Sequence, residues 1–464
     1  MRVGSVSRRR VGVLSASLTV ALLWTCSGVA RAGGGDEQWV ARDFGPQADS
    51  STRMVLSPDG ATLYIVGSSR GAFAVSARNT DTGAERWAAG FADPRDLADF
   101  PAGIAISPDG SLLFITGDAE ETVLTRSAIT IAVDAADGEL VWHVRESVGA
   151  ERVALPDAID VSPGGDRVYV TGTRTGKQGG DDFYDIVTVA YDASSGTRLW
   201  GTQYHGPAGG SDIAVGIAAG SDGSRVFVTG TSVGETSGRD ILTLAYQASN
   251  GAELWVARHG TTGDDYAEGL ALSPDGGRVY VLGTVGYFTG SQDYRTLVFD
   301  AATGTLVGAV TFDSGSSDVA RAIAVSPGGD AIYVTGSGGL DLATVAYASN
   351  GRLLWIALGG RGGSDVGTAI AVSPDGLRVY VAGASANGRL SCGGDVESTD
   401  YVTVGYDAIT GARLWAARYT GLFLQHPDSP TAIVTGRDGA SVFVTGTSDG
   451  GCNPPDVATL SYEG

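Results

Sequence analysis

The chain alternates short apolar runs with turns rich in Gly, Pro and Asp along almost its whole length. Runs such as 322–325 and 378–381 consist of β-branched, aromatic and small apolar residues, which is typical of buried strands. Pairs of runs are joined by Ser-Pro-Asp-Gly or Ser-Pro-Gly-Gly, or by a variant that keeps the closing glycine, and this pattern predicts β-hairpins. The eight turns begin at residues 57, 107, 162, 220, 273, 326, 373 and 436.

A third apolar run and a second turn follow each hairpin. The run 186–191 leads into the turn 192–196, and Trp200 lies four residues after Gly196. Gly308 stands at the tryptophan position in the fifth copy, whereas the other copies that contain a second turn carry Trp87, Trp142, Trp200, Trp255, Trp355 and Trp415. A unit of about 55 residues with four strands is typical of a propeller blade. The sequence therefore predicts an all-β, eight-bladed β-propeller with four antiparallel strands per blade.

The ends of the chain predict how the ring closes. The eighth copy ends after its third strand, and residues 37–42 resemble the fourth strand 413–418 of the seventh copy. We expect the N-terminal strand to complete the eighth blade, because closure removes the sheet edge that an open array would expose. The tryptophans are interpreted as packing residues between neighbouring blades.

Residues 1–32 have the pattern of a signal peptide, with arginines before an apolar run and Ala30-Arg31-Ala32 as the cleavage site. We expect cleavage near Ala32, a single propeller domain over 33–464, and a secreted protein in the periplasm or outside the cell. Without the leader, 26 basic residues face 52 acidic ones, a net charge of −26. This balance disfavours nucleic acid as a partner, and no later segment is apolar enough for a membrane span. A monomer is expected.

Two sets of aspartates recur at one end of the predicted ring. The first lies five residues before the first apolar residue of each opening strand and forms a predicted acidic collar of Asp49, Asp99, Asp212, Asp265, Asp318, Asp365 and Asp428. The second set stands at the start of the third strand of six copies and comprises Asp185, Asp240, Asp293, Asp341, Asp400 and Asp456. Clustered carboxylates repel one another, so both sets require either local hydrogen bonds or bound cations or ligands.

Calcium is the candidate metal, because carboxylates in loops are its usual ligands. The candidate ligands are Asp181, Asp182, Asp185, Asp264, Asp265 and Glu268. Cys392 and Cys452 fall in corresponding loops of the last two copies, and a disulfide between them is expected in an oxidising compartment. The four histidines show no spacing typical of zinc ligands.

The segment from Ala190 through Asp192 and Gly196 to Trp200 resembles the tryptophan-docking repeat of eight-bladed quinoprotein dehydrogenases. The Ser-Pro-Asp-Gly turns with Val-Tyr-Val-Thr-Gly runs also resemble YVTN-type and SBBP-type propeller repeats. Membership of the dehydrogenases implies pyrroloquinoline quinone (PQQ), calcium, a vicinal cysteine pair and a tryptophan floor. The chain has no adjacent cysteines, and its mature tryptophans all occupy the repeat position, so PQQ is not expected.

No catalytic residue is predicted, and two functions remain open. The first is a non-catalytic scaffold that binds a protein, glycan or small molecule at the loop-bearing end of the ring. The alternative is a PQQ-dependent or other oxidoreductase of the quinoprotein class.

Overall fold

The computed structural model confirms the eight-bladed ring. It describes residues 34–43, 49–92, 97–122, 125–146, 154–178, 181–235, 237–288, 290–360, 363–390, 397–421, 427–448 and 456–464. The predicted leader 1–32 and the two predicted disulfide cysteines, Cys392 and Cys452, lie outside these ranges. Within them the regular secondary structure consists of strands, with no helix.

The strands form eight antiparallel four-stranded sheets, each consecutive in the chain except the last. The strand that closes the ring is β1(Glu37–Asp43), and blades one to four contain β2(Asp49–Leu56), β3(Thr62–Ser69), β4(Ala72–Asn79), β5(Glu85–Phe91), β6(Ala98–Ile106), β7(Leu112–Thr122), β8(Thr125–Asp134), β9(Leu140–Glu146), β10(Ala154–Val161), β11(Arg167–Gln178), β12(Asp181–Asp192), β13(Arg198–Tyr204), β14(Asp212–Ala219), β15(Arg225–Val233), β16(Arg239–Gln247) and β17(Glu253–His259). Blades five to eight contain β18(Asp264–Leu272), β19(Arg278–Tyr287), β20(Asp293–Asp300), β21(Leu306–Phe312), β22(Asp318–Val325), β23(Ala331–Gly338), β24(Asp341–Ala348), β25(Leu353–Gly359), β26(Asp365–Val372), β27(Arg378–Leu390), β28(Glu397–Asp407), β29(Arg413–Tyr419), β30(Asp428–Thr435), β31(Ser441–Ser448) and β32(Asp456–Glu463).

The predicted closure is confirmed, because β1 pairs antiparallel with β32 and completes the sheet β1-β32-β31-β30. The junction also rebuilds the turn that the other blades have between their third and fourth strands. Gly35 has a φ of 96° and donates its amide to Glu463 O at 2.6 Å. Gly196, with a φ of 70°, makes the corresponding bond to Asp192 O at 2.9 Å. Two segments far apart in sequence thus form one turn.

The tryptophans of the fourth strands join neighbouring blades. The indole of Trp142 lies over Gly196 in the next blade and donates its N–H to Ala193 O at 2.9 Å. A side chain on Gly196 would collide with that ring, since a Cβ there would lie 2.7 Å from an indole carbon. Five other indoles make the same bond, namely those of Trp39, Trp87, Trp200, Trp255 and Trp355. Each bond fixes one blade against the next.

Candidate functional site

The first strands of the blades surround the axis of the ring. Each first strand packs against the first strands of both neighbouring blades, and this holds around the whole circle. Along β15, a second strand, the residues from 226 to 232 are all buried, whereas most residues of β14 remain partly exposed. Solvent therefore reaches the first strands from the axis, and their side chains line a channel.

All eight first strands contain a β-bulge at the same position. A bulge adds one unpaired residue and redirects its side chain, and such sites are common beside functional residues. The bulged residues, in order round the ring, are Thr52, Ala102, Asp157, Val215, Glu268, Arg321, Thr368 and Thr431. The repeat thus places one bulged residue per blade on the first strand, next to the axis, and three of the eight residues are charged.

Asp157 is the most perturbed of these charged groups. Thr173 Oγ1 donates to its carboxylate at 3.1 Å, yet burial raises the pKa of Asp157 to about 7, and the charge of Asp118 in the second blade adds to this effect. Asp118 pairs with Arg126 at 2.9 Å, and burial raises its pKa as well. A carboxyl group that titrates near neutral pH inside a channel is a candidate functional group.

Two further channel residues differ from their counterparts in the other blades. Asp160 stands where the other first strands carry Ala or Val, and its oxygens accept the amides of Val161 and Ala219, both at 2.8 Å. Arg53 stands where the other first strands carry Gly or Ala. It is exposed, but the surrounding protein lowers its pKa by desolvation. Three adjacent blades therefore place Arg53, Asp118, Asp157 and Asp160 in one part of the ring.

A second charged pair lies in the channel at the fifth and sixth blades. Glu268 accepts a hydrogen bond from Thr284 Oγ1 at 3.1 Å, and its other oxygen lies 3.8 Å from Arg321. Burial raises the pKa of Glu268, while the charge of Arg321 opposes that rise. This pair is close to charge balance, whereas no cation among the described residues pairs with Asp157.

The described members of the acidic collar are buried, and five of them accept hydrogen bonds, namely Asp212, Asp265, Asp318, Asp365 and Asp428. Asp265 accepts from Thr261 N, from Thr261 Oγ1 at 2.8 Å and from Gly286 N at 3.0 Å. Asp318 accepts the equivalent three bonds from Ser314 and Gly339. Six collar carboxylates are at most 3% exposed, namely Asp99, Asp212, Asp265, Asp318, Asp365 and Asp428. The side chain of Asp49 is outside the described part of the chain. Backbone and hydroxyl donors thus compensate these charges.

The second aspartate set lies beside the collar at the junctions between blades. A Cβ on Gly360 would lie 2.4 Å from both Asp341 and Asp365, so one member of each set meets there. In the fourth blade Arg258 pairs with Asp240 at 3.2 Å, and in the seventh Arg418 pairs with Asp400 at 3.0 Å. Junctions that lack this arginine contain other groups.

Within the described residues, two junctions bring three possible metal ligands within 4.8 Å of one another. One contains Asp185, His205 and Asp212, where His205 Nδ1 lies 2.6 Å from Asp185 and this hydrogen bond raises the pKa of His205. The other contains Asp293, Asp313 and Asp318. Burial raises the pKa of Asp293, and the charges of the other two carboxylates add to it.

Only part of the predicted calcium ligands can be located among the described residues. Asp185 belongs to the histidine group, and the side chains of Asp181 and Asp182 lie outside the described part of the chain. Neither of the two groups of possible metal ligands found among the described residues contains Asp264, Asp265 or Glu268. Asp264 faces Arg239, with a separation of 3.8 Å, and Glu268 points into the channel.

The structure identifies channel residues that the sequence analysis missed. Asp160 and Arg53 are charges that the other blades lack at these positions, and neither is among the candidate residues predicted from the sequence. Aligning the first strands residue by residue would have revealed both. The bulge is harder to foresee, because nothing in the apolar pattern marks the extra residue.

The axial channel, the bulge ring and the docked tryptophans define an eight-bladed β-propeller. The family model of the outer membrane protein assembly factor BamB matches residues 184–403, which extend from the third blade into the seventh. A search of curated proteins found no match.

Solved structures share the fold at low identity. The Dos1 propeller aligns with 92% of this chain and 95% of its own at 13% identity and a TM-score of 0.58. A europium-containing methanol dehydrogenase aligns with 92% of this chain and 93% of its own at 12% identity and a TM-score of 0.58. A quinohemoprotein alcohol dehydrogenase from Pseudomonas putida HK5 aligns with 92% of this chain and 76% of its own at 14% identity and a TM-score of 0.56. At these identities the similarity concerns the fold alone. In the described residues, no helix has the length and apolar character needed to cross a membrane.

Proposed function

We propose that the protein is an exported, non-catalytic binding scaffold whose ligand sits over the axial channel at the loop-bearing end. The observation that carries this proposal is the ring of bulged residues, which combines threonines, small apolar residues and three charged residues round one opening. A ring of varied side chains on a constant framework is suited to recognition. The bulges lie near the start of each first strand, and therefore near the loops that connect neighbouring blades.

The charges in the channel favour a cationic or polyhydroxylated ligand. Asp157 and Asp160 lie on the first strand of the third blade, and burial raises the pKa of both carboxyl groups. Carboxylates bind ammonium and guanidinium groups by charge-assisted hydrogen bonds, and they accept hydrogen bonds from hydroxyl groups. The predicted net charge of −26 would also steer cationic ligands toward the protein.

The described residues do not fit a quinone cofactor. Six indoles donate to the neighbouring blade, and the ring of Trp415 lies over Gly35, so each described tryptophan is committed to a blade junction. None of them remains to form the floor that the quinoprotein resemblance implies. The oxidoreductase alternative therefore lacks support from the side chains, although the fold is shared with dehydrogenases.

The test combines two measurements on the purified protein. Calorimetric titrations with a tetralysine peptide, a neutral oligosaccharide and a tetraglutamate peptide should show binding for one of the first two and none for the third. Asp157→Asn should weaken that binding, whereas Asp438→Asn, on an exposed turn at the opposite end, should not. Addition of PQQ and calcium with a dye-reduction assay provides the counter-test. Stoichiometric quinone uptake with turnover, or ligand binding that ignores Asp157→Asn, would overturn the proposal.

A further inference from the structure

The fifth blade differs from every other blade at its docking position. Gly308 replaces the tryptophan, and its cross-strand partner is Val298. Elsewhere the tryptophan faces a small residue, in the pairs Trp39–Ser461, Trp87–Ala77, Trp142–Ala132, Trp200–Ala190, Trp255–Ala245, Trp355–Ala346 and Trp415–Gly405. In the fifth blade the larger residue of the pair is therefore on the third strand and the smaller one on the fourth. Valine is much smaller than tryptophan, so the exchange leaves space.

The sixth blade keeps two of the features that receive an indole in the other junctions, although its docking turn is one residue shorter, with Gly351 N bonded to Ala348 O. Gly351 has a φ of 85° at the docking turn, and the nearest atom to a Cβ there would be Val310 Cγ1 at 3.0 Å, not an indole carbon. Ser349 N donates to Asp330 O at 2.9 Å, as Ala193 N does to Asp166 O at 3.0 Å. Ser349 therefore occupies the place of the residues whose carbonyls accept the indole N–H.

A cavity borders this junction, and its walls include Gly351 and Tyr347, whose counterparts contact the indole in other blades, but not Gly308 or Val298. Its volume is about 340 Å³, and its walls include Phe312 and Tyr347 with the aliphatic side chains of Val310, Leu353 and Ile356. In the other junctions the indole packs against aromatic rings of this kind, as Trp355 does against Tyr406 with centroids 6.0 Å apart. We call this cavity the vacated tryptophan slot. Its volume lies at the lower end of the range for small-molecule pockets, and its walls suit a flat aromatic ring.

One end of the slot carries negative charge. Asp313 lines it, is exposed, and belongs to the three-carboxylate group with Asp293 and Asp318. Thr311 stands where Arg258 and Arg418 neutralise the second-set aspartates of their blades. Arg295 donates to Oγ1 of Thr311, which lines the slot, and its other partner is His259 of the fourth blade, so one cation lies near the three carboxylates. A cationic group beside the ring would therefore be favoured.

We propose that the vacated tryptophan slot binds a small molecule with an indole-sized aromatic ring and a cationic amine. The ring would pack between Phe312 and Tyr347, a ring N–H would face the carbonyl of Ser349, and the amine would lie toward Asp313. This site lies on the outer strands and goes beyond the proposed function in the channel. Asp157→Asn should therefore leave it unchanged.

Calorimetric titration with tryptamine tests the proposal, since this probe has both the ring and the amine. We expect one site per chain and an affinity order of tryptamine, indole, then indole-3-acetate. Asp313→Asn should weaken tryptamine binding by about fivefold, the size of an exposed ion pair, and leave indole binding unchanged. Absence of tryptamine binding at millimolar concentration would overturn the proposal.

The double variant Val298→Ala with Gly308→Trp restores the pair that the other blades carry and fills the slot from within. There is room for it, because a Cβ on Gly308 would lie 3.6 Å from Val298. This variant should lose tryptamine binding by at least tenfold. Val307→Trp is the matched control, because Val307 is 50% exposed and alternates to the other face of β21.

Should the double variant fail to fold, Val310→Trp blocks the slot from its wall and gives the same test. Tryptamine binding that persists in a folded blocking variant would refute the site. A cationic tryptophan-containing peptide that binds ten times more tightly than tryptamine would assign the slot to a polypeptide and overturn the small-molecule assignment.

Discussion

Removing one collar carboxylate separates the two explanations of the acidic collar. Asp265 is fully buried and was also a predicted calcium ligand, so the substitution Asp265→Ala tests hydrogen bonding against metal binding directly. In the structure its carboxylate accepts two bonds from Thr261 and one from Gly286 N. These bonds hold the loop between the fourth and fifth blades against the end of β19.

The size of the effect follows from those three donors. A hydrogen bond to a charged acceptor contributes about 1.5–3 kcal/mol, and the contributions of bonds that share one acceptor are less than additive. The alanine leaves Thr261 N and Gly286 N without their acceptor in a buried place, although water entering the cavity would recover part of the loss. We therefore expect Asp265→Ala to lower the free energy of unfolding by about 4 kcal/mol.

Urea unfolding, monitored by tryptophan fluorescence, measures the loss of unfolding free energy in a calcium buffer and in excess chelator. If hydrogen bonds hold the collar, the loss should be the same in both buffers. Asp264→Ala is the matched control, since Asp264 is part-exposed and accepts one backbone bond, from Arg239 N at 3.0 Å, with a long ion pair to the same arginine at 3.8 Å. Its loss should be at most about 1.5 kcal/mol. A wild-type protein that chelator destabilises to the level of Asp265→Ala would refute the hydrogen-bond account and establish a metal site.

Two further predictions concern the channel and the closure. Because the folded-state pKa of Asp157 is about 7 and its unfolded value is about 4, the folded protein holds this proton more tightly; its contribution to stability is complete below pH 4 and lost as the pH rises through 7. We therefore expect Asp157→Asn and the wild type to have equal free energies of unfolding near pH 4. At pH 8 the variant should be more stable by up to about 4 kcal/mol. Urea unfolding measures both values, and equal pH profiles would contradict this prediction. Deletion of residues 33–45 removes β1 and exposes the edge of β32, so we expect a lower melting temperature or self-association by light scattering; a monodisperse truncation that melts like the full chain would count against closure.

The sequence predicted the fold well because the repeat encodes it many times. Each copy carries the same turn and the same strand periods, so an ambiguous copy such as the fifth, with Gly308, is settled by its neighbours. The closing strand was predictable for the same reason, since residues 37–42 match a fourth strand and no other. Repetition averages out the local ambiguity that limits predictions from single segments.

The candidate sites were less predictable because they depend on three-dimensional register. Asp157 resembles any loop-edge aspartate in the sequence, and only the bulge shows that its side chain is placed at the axis. The vacated tryptophan slot was visible as Gly308, but its meaning depends on Val298 and on the turn of the next blade, which is distant in sequence. A glycine in place of a tryptophan does not by itself indicate a binding site in an apolar sequence pattern.

The split turn at Gly35 and Glu463 also constrains the order of folding. Seven blades form from strands that are consecutive in the chain, and such local contacts form quickly. The eighth blade must bring together Trp39 and Ser461, about 420 residues apart, and the entropy of closing a loop grows with its length. Strand β1 is therefore synthesised first and paired last. Throughout that interval its edge is open to pairing with another chain, so the interval before closure is the step at which this protein is most exposed to aggregation.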